Sequence, residues 1–209
     1  MIFDYDGTIV DTLEFHARSI GGIIEDCGGK KELEVLRTYV GKSILYFFEK
    51  TLPQEKHGEA TEKIAEMYLD IPQKYWDVVS IIENAKETLE KLREKGIKIA
   101  LVTNSHWNLV EASLKYFELE EYFDWVMPTD EKGYNKEERL NKLMDITQID
   151  PKEILYVGDG PGDIIDSKKV GIDVALIINE TSWFKEDEAF LEKWQPTYII
   201  EDIGEILEF

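Results

Sequence analysis

The chain has 209 residues and a formal net charge of −20, from 44 acidic against 24 basic side chains. That length allows one large domain or two small ones with a genuine apolar core, whereas so acidic a surface repels phosphate backbones and argues against a nucleic-acid partner. A single cysteine, Cys27, excludes an internal disulfide and argues against a thiolate metal centre. No apolar run approaches the ~20 residues of a membrane span, and no basic-then-apolar leader pattern stands at the start, so the expected location is the cytoplasm.

Ile2-Phe3 is a very short apolar run, read as the first strand. From Asp11 to about Ile81 the pattern is helical. Leu13 to Cys27 carries apolar residues at helical spacing and closes with Gly28-Gly29, a C-terminal stop signal. Ile44 to Leu52 stops at Pro53, and Glu59 to Leu69 stops near Pro72. No strand is predicted in this stretch, which reads as a small helical unit. The rhythm then changes. A helix over Ala85 to Lys95 ends at Gly96, and a β-rich run from Ile97 to Val102 leads into Thr103-Asn104-Ser105. A helix from Trp107 to Phe117, a short strand around Trp125-Val126-Met127 and a helix from Lys136 to Ile146 follow. Asp150-Pro151-Lys152-Glu153 has the form of a capped turn, with Pro at the first helical position. Ile154 to Val157 is a strand ending at Gly158-Asp159, then a helix runs to Val170 and a strand from Val174 to Ile178. Tyr198-Ile199-Ile200 is the last strand before a short terminal helix. Strands alternating with helices of this length mean a parallel sheet covered on both faces. The expected division is an α/β core of residues 1–11 and 82–209, with residues 12–81 inserted straight after the first strand.

Four polar clusters fall at the carboxyl ends of four predicted strands: Asp4-Tyr5-Asp6-Gly7-Thr8, Thr103-Asn104, Lys136 with its preceding loop, and Gly158-Asp159-Gly160-Pro161-Gly162-Asp163. In open α/β sheets, that edge is where ligands bind. In this order the four clusters resemble the motifs of the haloacid dehalogenase superfamily. Asp4-x-Asp6-Gly7-Thr8-x-Val10-Asp11 matches the first motif and Thr103-Asn104 the second. Lys136 lies at the spacing of the third, with Lys132 competing because the usual Gly-Lys-Pro is absent, and Gly158-Asp159-x-x-x-Asp163 matches the fourth. The resemblance spans nearly the whole chain. It implies a Rossmann-like α/β core with a parallel sheet and an inserted α-helical cap domain, and phosphatase activity of the phosphoglycolate-phosphatase kind.

Carboxylates crowded at one sheet edge repel each other unless a divalent cation sits among them, and oxygen ligands without His or Cys suit Mg²⁺. The resemblance implies metal ligation by Asp4, the backbone carbonyl of Asp6, Asp159 and Asp163. It makes Asp4 the nucleophile that forms an aspartyl-phosphate and Asp6 the acid that protonates the leaving alcohol and then deprotonates the water. Thr103, Asn104 and Lys136 would hold the phosphate oxygens. His16, in Asp11-Thr12-x-x-x-His16, and Lys42, in Gly41-Lys42-Ser43, are candidate substrate contacts in the insert.

Dehalogenases of this superfamily lack the second aspartate, so Asp6 selects phosphoryl chemistry. The expected substrate is a small phosphorylated metabolite, and the expected assembly is a monomer or homodimer. Two alternatives stay open. A phosphomutase would need cations in the insert to re-bind a phosphorylated intermediate, with Arg18, Arg37, Lys42 and Lys50 available. A non-catalytic regulatory protein would keep the fold without the chemistry.

Overall fold

In chain order the strands are Ile2–Phe3 (β1), Val10–Asp11 (β2), Ser80–Ile81 (β3), Ala100–His106 (β4), Trp125–Thr129 (β5), Leu155–Gly158 (β6), Asp173–Ile177 (β7) and Tyr198–Ile200 (β8). The α-helices are Leu13–Asp26 (α1), Leu33–Arg37 (α2), Ile44–Thr51 (α3), His57–Leu69 (α4), Ala85–Glu94 (α5), Trp107–Tyr116 (α6), Lys136–Thr147 (α7), Pro161–Lys169 (α8) and Glu188–Trp194 (α9). The structure, a computed structural model, describes residues 1–40, 43–69, 71, 73–129, 134–183 and 188–209. Lys42 and Lys132 lie outside the described residues.

Six strands form one parallel sheet in the order β5-β4-β1-β6-β7-β8, and β2 with β3 makes a separate two-stranded sheet. This is an α/β fold with a helical insert, as the alternation of strands and helices predicts. β1 is the hinge of the topology. From it the chain builds outward through β4 and β5 on one side, then returns to its other side for β6, β7 and β8. Such a reversal opens a crevice at the carboxyl ends of the strands. The central strands β1, β4 and β6 are buried on both faces: Phe3, Leu101 and Val157 as fully as Ile2, Val102 and Tyr156. That is why they read as short continuous apolar runs without alternation. On one face Ile2, Ala100, Val102, Tyr156, Val174 and Leu176 pack with Leu140 and Leu143 of α7 and Ile164 of α8.

The chain divides into two compact units, Met1–Asp11 with Ile81–Phe209, and Thr12–Ser80. In the second unit α1 packs with α2 and α4, and α3 with α4. Phe15, Ile24, Leu36, Phe47 and Phe48 are its most buried large side chains. The stop signal after α1 works as its composition suggests. Gly28 takes φ +88°, and the Gly29 N–H donates to the Ile24 carbonyl at 2.8 Å.

Four local differences from the sequence pattern have physical causes. β2 and β3 stand at the two ends of the stretch in which no strand is predicted, because two residues each are too few to show a strand's alternation. β4 begins at Ala100, not Ile97, because Ile97 closes the preceding helix. Gly96 turns left-handed (φ +76°), and the Ile97 N–H returns to the Leu92 carbonyl at 3.0 Å. α2 is a five-residue helix after a charged stretch, too short to show helical periodicity. α9 is also short. Its Phe190, Leu191 and Trp194 lie half-buried against the sheet's core, a contact no local pattern announces.

Candidate active site

Asp4 follows β1 directly, and its N–H donates to the Val157 carbonyl of β6 at 2.8 Å. The parallel register sets Ile2 and Phe3 beside Ala100 and Leu101 on β4 and beside Tyr156 and Val157 on β6. The same register therefore brings the residues just past these points, Asp4, Thr103 and Asp159, to one edge of the sheet. After Asp4 the chain folds back tightly: the N–H groups of Ile9 and Val10 both donate to the Tyr5 carbonyl at 3.0 Å. Gly7 makes this turn possible. It takes φ +68°, and a Cβ there would overlap the Asp159 carboxylate. The glycine thus lets the first and fourth motifs touch.

Asp4, Asp159 and Asp163 are buried, and one carboxylate oxygen from each lies within 4.8 Å of the others. Lys136 is 4% exposed and sits among them, with Nζ 2.5 Å from Asp163 Oδ1 and 3.2 Å from Asp4 Oδ1. It is placed by a capped helix start. Asn135 accepts from the Glu138 N–H, and Glu138 accepts from the Asn135 N–H, which fixes the first turn of α7. Asp163 does two things at once: Oδ1 meets Lys136, and Oδ2 accepts from the Gly160 N–H at 2.9 Å. Asp159 Oδ2 accepts from the Trp183 N–H at 2.6 Å, in the loop after β7.

Three carboxylates against one ammonium leave two negative charges uncompensated. Asp4 Oδ1 is buried and, apart from the ion-pair approach of Lys136, has no hydrogen-bond donor. A divalent cation would supply both the charge and the missing partner, and the donors are all hard oxygens. Asp4, Asp159 and Asp163 are the side chains that can hold it. The carboxylate of Asp6 is not in this cluster.

Electrostatics follow from burial. Burial pushes the Asp4 carboxyl up to about 7 from its ordinary 3.8, with Lys136 opposing and Asp163 and Asp6 adding to the rise. Burial, then Asp163 and Asp4, raise Asp159 well above the ordinary range. Burial alone would lower Lys136, but Asp163 and Asp4 outweigh it and hold the ammonium above its usual pKa. The sign for stability follows. A folded-state carboxyl raised above its unfolded value favours folding fully at pH below about 4, and that contribution is lost as pH rises to about 7. Lys136 titrates well above this window and the depressed carboxyls Glu14 and Asp124 below it, whereas burial lowers the Met1 ammonium to about 6 and lowers His106 as well, both acting with the opposite sign. In chelator, the melting temperature of wild type should therefore fall relative to that of Asp4→Asn between pH 5 and pH 7.5, a comparison in which the groups common to both cancel. Scanning fluorimetry of the two proteins across that range checks this, and parallel profiles would show that the Asp4 carboxyl is not held protonated.

The remaining predicted residues are distributed as follows. Thr103 is buried and its Oγ1 accepts from the Ser105 N–H at 3.1 Å. Asn104 is exposed next to it. His16 is half-buried on α1 in the inserted unit, edge-on to Phe15 with ring centroids 5.2 Å apart. Two side chains in this region were not singled out from the sequence. Buried Ser105 donates from Oγ to Asp6 Oδ2, and Arg139 donates from Nη2 to Asn104 Oδ1. Arg139 follows Lys136 by one helical turn, so helical spacing alone could have placed it on the same face.

Comparison with known proteins gives a consistent result. The profile of the family described as haloacid dehalogenase-like hydrolase matches residues 1–177. A candidate pyrophosphatase PpaX of Caldanaerobacter subterraneus subsp. tengcongensis is 31% identical over the whole chain and 92% of the relative. Pyrophosphatase PpaX of Bacillus mycoides is 26% identical over 99% of the chain and 94% of the relative. Among solved structures, a candidate phosphatase from Clostridium difficile superposes with a TM-score of 0.84 at 29% identity, covering 99% of this chain and 95% of that one.

Proposed function

Because the chain belongs to the haloacid dehalogenase-like hydrolase family, we propose that it is a Mg²⁺-dependent phosphatase acting on a small phosphorylated metabolite through an aspartyl-phosphate on Asp4. The observation that carries this reading is the buried group of Asp4, Asp159, Asp163 and Lys136, with Asp6 two residues from the nucleophile. Mg²⁺, held by Asp4, Asp159, Asp163 and the Asp6 carbonyl, would neutralise the carboxylates and the phosphoryl charge.

Asp4 attacks phosphorus in line and the P–O bond to the leaving group breaks. Asp6 gives its proton to the departing oxygen, then takes one from the water that attacks the aspartyl-phosphate. Lys136 and the Thr103 hydroxyl bind the equatorial oxygens, whose charge is the main thing the site must offset. Ser105 holds one oxygen of Asp6. His16 and Lys42 are retained as candidate substrate contacts of the insert. The relatives named pyrophosphatase make inorganic pyrophosphate the first substrate to try, beside phosphoglycolate.

Hydrolysis is favoured over mutase chemistry because three of the four cations named for the insert, Arg18, Arg37 and Lys50, are already engaged. Arg18 and Arg37 both pair with Glu14, Arg37 also with Glu34, and Lys50 lies over the Tyr46 ring. No helix among the described residues is long and apolar enough to cross a membrane; the cytoplasm is part of the proposed reading and does not follow from that.

A phosphate-release screen over small metabolites tests the reading, paired with Asp6→Asn. That variant should lose about 10²–10⁴-fold on alkyl phosphates and much less on an activated aryl phosphate, whose leaving group needs no proton. Equal losses on both would remove Asp6 as the acid, and no release from any substrate would remove the phosphatase reading.

A further inference from the structure

We propose that Arg139 is a positioning residue of the phosphate pocket, holding the Thr103-Asn104-Ser105 bend so that its donors face the bound anion. The inference rests on the phosphatase reading for the identity of the ligand. Its evidence is a hydrogen-bond network in the α/β unit.

Arg139 is 3% exposed on the first turn of α7. Its Nη2 donates to Asn104 Oδ1, and its Nη1 donates to the Tyr134 carbonyl and, at 3.4 Å, to Thr129 Oγ1. Thr129 Oγ1 in turn donates to the Asn104 carbonyl at 2.8 Å. From the other side, the Ser105 N–H donates to Thr103 Oγ1 at 3.1 Å. The peptide between Asn104 and Ser105 is therefore held at its oxygen by Thr129 and at its nitrogen by Thr103. This happens where the pairing of β4 with β5 shifts register, between Val102 and His106, so the ladder itself does not hold the bend.

The consequences are directional. Thr103 Oγ1 has accepted an N–H, which leaves its hydroxyl hydrogen to donate. Asn104 Oδ1 is occupied by the guanidinium, which leaves the Nδ2 hydrogens as the donor end of an exposed side chain. The fork geometry matters: one guanidinium reaches three acceptors, on β4, on β5 and in the loop before α7, which a single lysine ammonium on a flexible stem does not reproduce. A fixed positive charge one helical turn from Lys136, in a poorly solvated setting, also favours an anion at this edge.

The test is calorimetric titration of Mg²⁺-loaded protein with inorganic phosphate, alongside melting temperature and ester turnover, for wild type, Arg139→Met, Arg139→Lys and Asn104→Ala. All three variants should bind phosphate about tenfold more weakly, the scale on which orienting partners act. Arg139→Met and Asn104→Ala combined should be no weaker than either alone, because both break one link. A merely structural Arg139 would lower the melting temperature and leave phosphate affinity unchanged, which would overturn the proposal. If Arg139→Met does not fold, an unchanged affinity in Asn104→Ala would overturn it instead. Wild type that binds phosphate but turns over no ester would sink the phosphatase reading while the binding series still scores Arg139. Wild type that binds no phosphate would overturn both.

Discussion

Asp4→Asn is expected to reduce turnover of every phosphate ester by at least about 10⁴-fold, the scale of losing a nucleophile, and to leave no acid-stable phosphoprotein in rapid-quench experiments with radiolabelled substrate. The amide keeps the shape of the carboxyl but cannot accept the phosphoryl group. The same change should not weaken the fold. Asp4 is buried among like charges, and its carboxyl is held up at about 7, so its ionised form opposes folding at neutral pH. In chelator at pH 7.5 the variant should melt no lower than wild type, and higher if Asp4 is the main source of repulsion. Activity lost together with a large drop in melting temperature would instead make Asp4 a structural carboxylate. Phosphoprotein that persists in Asp4→Asn would move the nucleophile elsewhere.

Removal of divalent metal is the second large effect. Turnover should fall to background in EDTA and return fully with Mg²⁺, because Lys136 alone cannot offset Asp4, Asp159 and Asp163 once a substrate phosphate joins them. Ca²⁺ should not replace Mg²⁺, since its larger and more flexible shell does not hold the in-line geometry. Mg²⁺ should also raise the melting temperature more at pH 7.5 than at pH 5, where protons compete for Asp4 and Asp159. Undiminished turnover after exhaustive chelation would remove the metal from the mechanism.

Much of the sheet edge is legible in the sequence, for a physical reason. In a parallel α/β sheet each strand is a short apolar run with its polar residues at the exit, so Asp4, Thr103 and Asp159 advertise their place by position alone. The capped turn at Asp150-Pro151 was equally local: the Asp150 side chain accepts from the Lys152 N–H at 2.9 Å. What escaped were contacts created by the fold. Ser105 acquires a role only because β4 lies beside β1 and brings its hydroxyl to Asp6. The Trp183 N–H reaches Asp159 from a loop with no motif of its own. Ile97 looks like strand in composition, yet it is spent closing α5, because a left-handed glycine precedes it. Arg139 was recoverable in principle, since a buried cation one turn from Lys136 follows from helical spacing, but only its partners reveal what it holds.

The position of β1 also bears on how the protein is made. Ile2 and Phe3 belong at the middle of the sheet, yet one neighbour begins at Ala100 and the other at Leu155. On a ribosome, the first strand emerges long before either partner exists. At about 5–20 residues per second, the wait until β6 is complete is on the order of ten seconds. During it the inserted helices, whose contacts are local, can already form, while the two-residue strand has nothing to pair with. Asp4 and Asp6, the proposed nucleophile and acid, thus meet Lys136, Asp159 and Asp163 only once β4 and β6 have closed around β1. A partly synthesised chain carries Asp4 and Asp6 without the residues that make them reactive, and hydrolytic power should appear in a single step late in folding.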